Sequence, residues 1–357
     1  MSAPQPFLVY RDRIGVASEI EFLRRQYISF TRLQPVWVGR TLLPGAEAIG
    51  KPVLRLGGDG PAGPPRRFLF RHFGWVPALP PTAAVMHAQF ARGGALALPI
   101  ARRHKLRLVV TLHGGDVSKQ KNWSGTVLAA RWPALVREAA RFVCVSGAVA
   151  EVAVARGVPA EKLTVLPIGV EVPPAPPERH PQAHLFVGRF VEKKGIGVLA
   201  DAMRRLRAQG DATELVCVGD GPLRPLLEAL AREMAGVTLT GWLPPDAVRA
   251  RMTHAISLVV PSVVARDGDA EGLPSVIAEA MAQGCPVIGS DQGGIAEAIR
   301  DGDTGLLVQP GDAAALADAM LRIKGDGTFG AAGFAYAAMA LNARCQSEKL
   351  ESLLLAV

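Results

Sequence analysis

Cysteine is scarce: Cys144, Cys217, Cys285 and Cys345 stand far apart in 357 residues. None has metal-ligand spacing and three lie in apolar runs. They read as small core residues of a chain kept in a reducing cytoplasm, not as a disulfide framework. No uninterrupted apolar run approaches the ~18 residues that a membrane span needs. The opening Met-Ser-Ala-Pro-Gln-Pro lacks the basic and apolar stretches of a secretory leader. The nucleophile elbow Gly-x-Ser-x-Gly and the Walker A loop are both missing, which excludes the commonest hydrolase and P-loop signatures. His87, His104, His180, His184 and His254 show no ligand spacing with His113 or with one another, so no metal site is inferred.

What is present is a globular chain, 49% hydrophobic, long enough for two domains. Its net charge of +8 is uneven. Residues 1–175 carry 23 Lys+Arg against 10 Asp+Glu, or +13, and the remainder carries 17 against 22, or −5. A basic first half suits an anionic partner such as a membrane surface, a phosphate-bearing lipid or nucleic acid, or else it merely solvates the surface. It lacks the aromatic interleaving expected for stacking on bases, so nucleic acid is disfavoured.

Along the chain, Phe7–Tyr10 predicts a strand, and a loop carrying Gly15 follows. Ser18 and Glu21 match a capping box for the next helix. Residues 44–67 are rich in Gly and Pro and read as loops. Strands are expected at Val85–His87, Leu106–His113, Phe142–Val145 and Leu163–Leu166, with Ser146 capping a helix. His113 then lies at the end of a buried strand, where ligands of open parallel sheets bind. Taken alone, it reads more readily as a satisfied structural histidine. Five prolines within 172–181 forbid helix and central strand and mark a domain boundary. Strands at Leu185–Val187, Leu215–Val218, Thr238–Thr240, Ser257–Val260, Pro286–Gly289 and Gly305–Val308 then alternate with helices, which argues a second parallel α/β sheet. The tail from Phe334 to Val357 reads as helix, with a stripe of Leu350, Leu353 and Leu354.

Two constellations stand out. The first is Gly-Arg189-Phe-Val-Glu-Lys-Lys194-Gly, directly after a predicted strand. Two cations and free helix-start N–H groups there suit a diphosphate. Lys193 reads as the solvated spare. The second is Glu271-Gly-Leu-Pro-Ser-Val-Ile-Ala-Glu279, two carboxylates separated by seven residues. Pro274 suits a first helical turn and Gly284 a stop, so a helix is expected from about Pro274 to Gln283. Glu271 precedes its N-terminus and Glu279 lies one to two turns inside. By itself the pair is also compatible with an ordinary solvated helix. Gly219-Asp-Gly-Pro-Leu-Arg224 resembles a dinucleotide fingerprint, but Arg224 replaces the third glycine. Trp242, after another strand, suits either the wall of a base site or core packing.

Taken jointly, these residues resemble the retaining nucleotide-sugar glycosyltransferases of family 4. The matches are Arg189 and Lys194 in their glycine-flanked run, the Glu271/Glu279 pair, Thr-Leu-His-Gly-Gly-Asp at 111–116, Val145-Ser146, Gly157-Val-Pro to Leu166-Pro-Ile-Gly169, and Gly289-Ser-Asp-Gln-Gly-Gly294. The first loop departs from the pattern: many members carry two adjacent glycines, whereas this chain has only Gly15. The resemblance implies two Rossmann-like α/β domains facing across a cleft, the GT-B fold. Residues 1–175 would form an acceptor-side domain and 176–335 the nucleotide-sugar domain. The helix within 336–357 would return to the first domain. It further implies that Arg189 and Lys194 neutralise the leaving diphosphate without a metal or other cofactor. Glu279 would bind ribose and Glu271 the transferred sugar, aided by backbone N–H groups around Gly272, Leu273 and Pro274. His113 would touch the donor sugar, and Gly15 would let the first loop approach the diphosphate and acceptor. Expected partners are a GDP- or UDP-linked sugar, a saccharide or polyprenyl-diphosphate-linked acceptor and an anionic membrane surface. The expected place is the cytoplasm or the inner membrane face, in bacterial surface polysaccharide or glycolipid assembly. The alternatives are a sugar-nucleotide epimerase of similar fold and a non-catalytic sugar- or nucleic-acid-binding protein.

Overall fold

The computed structural model describes residues 3–50, 52–56, 63–76, 79–325 and 327–357, without the side chains of Ala17 and Ser18. The chain divides into two compact units, 1–169 with 343–357 and 170–342.

The first unit is built on a seven-stranded parallel sheet. Its order is Val53–Arg55, Leu33–Gly39, Gln5–Tyr10, Val85–Gln89, Arg107–Leu112, Arg141–Cys144, Leu163–Val165. Strand order reverses between Gln5–Tyr10 and Val85–Gln89, which pair in parallel through Leu8 to Tyr10. Phe7–Tyr10 and Met86–Ala88 are buried throughout, as strands covered by helices on both faces must be. Phe7, Trp37, Tyr27, Leu350 and Leu354 belong to one core cluster.

The structure corrects two local expectations and adds one strand. Helix Ala17–Arg25 starts with Val16 at its cap, so Ser18 lies inside the helix and is not its N-cap. Part of the Gly/Pro-rich stretch is ordered secondary structure. It holds a 3₁₀ turn at Ala46–Ile49, the edge strand Val53–Arg55 and the helix Gly63–Phe73. Residues 51 and 57–62 of that stretch lie outside the described set. Pro64 and Pro65 occupy the first turn of Gly63–Phe73, where no intrahelical donor is lost. The added strand, Leu33–Gly39, has no clean signature in the sequence because Pro35 interrupts its apolar run. In the structure it pairs with Gln5–Tyr10 on one side and Val53–Arg55 on the other.

The second unit holds a six-stranded parallel sheet. Its order is Val237–Gly241, Glu214–Val218, Ala183–Val187, Ala255–Val260, Val287–Ser290, Leu306–Val308. In sequence rank this is 3-2-1-4-5-6, the doubly wound order. Its strand reversal falls between Ala183–Val187 and Ala255–Val260. All six strands anticipated from sequence are present within two residues. One core cluster contains Phe186, Leu199, Met203 and Leu230, and another contains Leu258, Ile277, Met281 and Val287.

The helical tail is two helices, Thr328–Ala340 in the second unit and Ala343–Ala356 in the first. The second is held by polar as well as apolar contacts. Glu351 is 4% exposed. Its Oε1 accepts the backbone N–H groups of Thr31, Arg32 and Leu33 at 2.9, 2.7 and 2.8 Å. Ser347 Oγ accepts from the N–H of Ser29 at 3.0 Å. Hydrogen bonds to a charged acceptor contribute ~1.5–3 kcal/mol each, and the orphaned donors add to the cost of losing it. Replacing Glu351 by Ala should therefore lower stability to urea by about 3 kcal/mol. A loss below ~0.5 kcal/mol, within the range of ordinary surface substitutions, would contradict this account.

Candidate functional site

In the second unit the chain leaves strand Ala183–Val187 at Gly188, exposes Arg189, returns Phe190 to the core and coils into a 3₁₀ turn at Glu192–Lys194. Gly195 ends the turn at φ +67°, and a Cβ there would stand 1.7 Å from the carbonyl oxygen of Pro261. Only glycine allows this approach. Pro261 follows the neighbouring strand Ala255–Val260, so the contact locks two loops together at the point of strand reversal. The Val263 N–H donates to the Lys193 carbonyl at 2.9 Å and adds to that lock.

The two loops meet in a buried four-charge cluster. Lys194 Nζ lies 3.1 Å from Glu271 Oε1. Lys193 Nζ lies 3.4 Å from the same oxygen and 3.2 Å from Asp269 Oδ1. Lys193 is thus not the solvated spare expected from sequence. Its side chain is 11% exposed because two carboxylates need its charge. Two cations face two carboxylates, so the cluster is balanced, as buried charge must be. Burial acts to raise the pKa of Glu271, but Lys194 and then Lys193 outweigh it and hold the carboxyl below its ordinary value of 4.5.

Helix Ser275–Ala282 follows immediately, with Pro274 at its cap and no side chain capping its first turn. Gln283 ends it, ahead of Gly284 at φ +64°, close to the boundaries read from sequence. Gly272 and Pro274 are buried, and Leu273 packs on the adjacent core. Glu279 is half-buried on the helix. Arg189 is exposed, and Trp242, after strand Val237–Gly241, is 56% exposed and so no core residue. Cations, an uncapped helix start and a paired carboxylate at a topological switch point make a site suited to a diphosphate group.

In the first unit His113 lies one residue beyond strand Arg107–Leu112. Asp116 holds its loop, accepting the His113 N–H at 2.9 Å and the Ala91 N–H at 2.8 Å. His113 Nε2 bonds Gln89 Oε1 at 2.9 Å, and Gln89 Nε2 donates to the Tyr27 hydroxyl at 2.7 Å. That hydroxyl bonds His87 Nδ1 at 2.9 Å, and His87 Nε2 bonds Thr111 Oγ1 at 2.6 Å. The chain is consistent throughout if both histidines are neutral and carry their protons on Nε2. Burial, followed by the charge of Arg11, pushes the His113 pKa down to about 3. Phe90, at φ +68°, places its ring centroid 4.2 Å from that of His113, and the Arg11 guanidinium carbon lies 4.4 Å from the same Phe90 centroid. A positive φ at an aromatic residue is strained, and it occurs here at a strand end beside polar groups. Gly15 has φ +104°, and a Cβ would meet the Leu43 carbonyl oxygen at 2.7 Å. The packing of its own loop requires that glycine.

From sequence Lys193 reads as solvated, and Asp269, Gln89, Tyr27 and Phe90 carry no assignment. The tandem Lys193-Lys194 opposite the alternating Asp269-x-Glu271 is a signal for the first two. The polar chain has none, because it joins residues up to 62 positions apart that only the fold brings together.

The family model described as "Glycosyl transferases group 1" matches residues 181–326, and the "Glycosyl transferase 4-like domain" model matches residues 30–169. The chain belongs to this glycosyltransferase family, and its fold is of the GT-B type. It is similar to the amylovoran biosynthesis glycosyltransferase AmsK of Erwinia amylovora, at 32% identity over 68% of this chain and 62% of that one. It is also similar to the putative teichuronic acid biosynthesis glycosyltransferase TuaC of Bacillus subtilis, at 31% identity over 67% and 60%. The chain therefore spans about three fifths of these relatives' length. Among solved structures, Anabaena Alr3699/HepE in complex with UDP and glucose superimposes with a TM-score of 0.80 at 18% identity, covering 99% of this chain and 100% of that one.

The buried cluster makes two predictions. Lys193→Met leaves two carboxylates facing one lysine and should cost about 3 kcal/mol in urea unfolding. A loss under ~0.5 kcal/mol would mean that the cluster is solvated. The second concerns pH. Glu271 has a lowered folded pKa, so its stabilising contribution is complete above the ordinary value of 4.5 and is lost as pH falls through the folded value. Glu271→Gln should flatten the acid limb of stability against pH below that point; a limb identical to that of the parent would refute the assignment.

Proposed function

We propose that the protein is a retaining glycosyltransferase that moves a sugar from a UDP- or GDP-linked donor to a saccharide or lipid-linked acceptor, in bacterial surface polysaccharide assembly. The observation that carries this reading is the cluster of Lys193, Lys194 and Glu271 with exposed Arg189, beside the start of helix Ser275–Ala282, at the strand reversal of the second sheet. The names of the relatives, for amylovoran and teichuronic acid biosynthesis, support the polysaccharide part. The UDP and glucose bound by HepE motivate UDP-sugars as the first donors to test.

In this reading Arg189 and Lys194 take up the charge of the departing diphosphate, and the uncapped first turn of Ser275–Ala282 adds its N–H dipoles. These fixed charges supply what a metal supplies elsewhere, so turnover needs no metal. Glu279 binds ribose hydroxyls, Trp242 meets the base, and Glu271 contacts the transferred sugar together with the backbone of Gly272, Leu273 and Pro274. Neutral His113 hydrogen-bonds the donor sugar near the reacting carbon. The transition state is oxocarbenium-like: the bond from the sugar to the diphosphate oxygen breaks, the acceptor oxygen bonds to the same carbon on the same face, and a diphosphate oxygen takes the acceptor proton. The protein works at the cytoplasmic membrane face, where its basic first half meets anionic lipid.

A thermal-shift panel of UDP, GDP and ADP with their sugars, followed by turnover with the best donor, tests the assignment. One nucleotide class should raise the Tm, and turnover should survive EDTA; no shift with any nucleotide would sink the donor site. Lys194→Ala should lower transfer by about 100-fold or more while the fold survives. In the unliganded protein Lys194 is neutralised by Glu271. Glu271→Gln should therefore tighten the nucleoside diphosphate about tenfold while transfer falls. Unchanged or weaker diphosphate binding in that variant would overturn the competition between Glu271 and the diphosphate for Lys194.

A further inference from the structure

A second basic site lies at the C-terminal edge of the first sheet. Asp12 follows strand Gln5–Tyr10, Arg40 follows Leu33–Gly39, and Arg92 is the second residue of the helix after Val85–Gln89. Three successive sheet positions thus send side chains to one edge, beside the strand reversal. Helix Gly63–Phe73 closes the other side with Arg67 and Arg71, four residues apart and so on one helical face. The cavity between them encloses about 340 Å³.

Its charge is not balanced. Arg40 is spoken for by Asp12, with both guanidinium–carboxylate contacts at 3.0 Å. No described carboxylate pairs with Arg67, Arg71 or Arg92. Behind the wall Arg131 donates to the carbonyl oxygens of Ala95 and Arg71, so it is fixed by the backbone and adds a further positive charge without a counter-ion. A cavity holding three uncompensated guanidinium groups is a site for a polyanion, since forked N–H donors match phosphate oxygens. The same helix exposes Phe68, Leu69 and Phe73, at 55, 38 and 58%. Large apolar side chains beside such a basic cavity fit a ligand that is anionic at one end and lipidic at the other.

We propose that this cavity holds the diphosphate of a lipid-linked acceptor, with Phe68 and Phe73 against the first part of its hydrocarbon chain. The inference rests on the glycosyltransferase reading and names its acceptor class. Neither the buried lysine cluster of the second unit nor the chain of polar groups behind His113 takes part. The recognised chemistry is a phosphate diester or diphosphate on an apolar tail, which bulk anionic phospholipid also offers, so the test separates the two sources.

Farnesyl diphosphate is titrated into the full chain at low salt, with the nucleoside diphosphate that gives the largest thermal shift present at saturation so that the donor site is occupied. Each guanidinium–phosphate contact is worth about tenfold in affinity, so Arg67→Gln/Arg71→Gln should weaken binding about 100-fold, and farnesol should bind no better than to that variant. Unchanged affinity in the double variant, or farnesol equal to farnesyl diphosphate, overturns the proposal. Arg67 and Arg71 have no described side-chain partners, so the fold should persist. Arg92→Gln, expected to lose about tenfold, replaces the pair if it does not. Vesicles of phosphatidylglycerol and phosphatidylcholine form the second arm. Farnesyl diphosphate should bind in their absence and survive their addition at equal lipid phosphate. Binding to the vesicles alone would overturn the acceptor site in favour of a bilayer headgroup contact. The nucleotide thermal shift is read in the same samples. Its absence in the parent protein would count against the donor site and leave the farnesyl diphosphate result standing on its own.

Discussion

The second unit depends on an exchange of charge in a place that water barely reaches. Lys193 and Lys194 come from one loop, Asp269 and Glu271 from the next, and all four side chains are 14% exposed or less. Any one of them alone would be costly to bury, and together they compensate one another. The arrangement exists because Gly195 lets its loop touch the Pro261 carbonyl, where any side chain would collide. A single steric allowance therefore determines where the cations stand. The same lock places the start of helix Ser275–Ala282 after Glu271, so that helix dipole, carboxylate and cations share one sheet edge.

Such a cluster is preorganised rather than inert. Its carboxylate holds the lysines in position while no ligand is present, which removes the ordering cost that long lysine side chains otherwise incur on binding. In the proposed reaction an incoming diphosphate would compete with Glu271 for Lys194. Exposed Arg189 carries no such competitor, and it is the group free to meet an anion first. On the proposed function the cluster would tune affinity as well as supply charge, which suits the release of a diphosphate product.

The first unit reaches a comparable end by different means. Its sheet edge carries a neutral hydrogen-bonded chain from His113 to Thr111 and, separately, a cavity of unbalanced arginines. Burial keeps His87 and His113 uncharged, each with a pKa of about 3, so the chain orients groups and does not respond to pH near neutrality. The excess of +13 counted over residues 1–175 is not spread evenly over the surface. Part of it gathers at one sheet edge: Arg40 and Arg92 follow two strands there, because parallel strands deliver the residues after them to one edge, and Arg67 and Arg71 join them from helix Gly63–Phe73.

Much of this was legible in the sequence because it is local. Apolar runs separated by helical segments specify parallel α/β units, Pro274 and Gly284 bracket a helix, and Glu271, Glu279, Arg189 and Lys194 stand in runs that can be recognised on their own. The proline in Leu33–Gly39 and the Gly/Pro-rich stretch after it hid real elements, since a local breaker says nothing of the neighbours that will pair with the chain. Only the tertiary structure decided that Lys193 is paired and largely shielded from water, that Glu351 ties the last helix to Thr31 to Leu33, and that Tyr27, His87 and Gln89 stand behind His113. Those facts depend on which residues burial and register bring together across tens or hundreds of positions. The sequence by itself determined the elements and the chemical groups, because propensity and periodicity act over a few residues. The charge state and partners of each group waited for the fold, because desolvation and Coulomb attraction act only between groups already brought within a few ångströms.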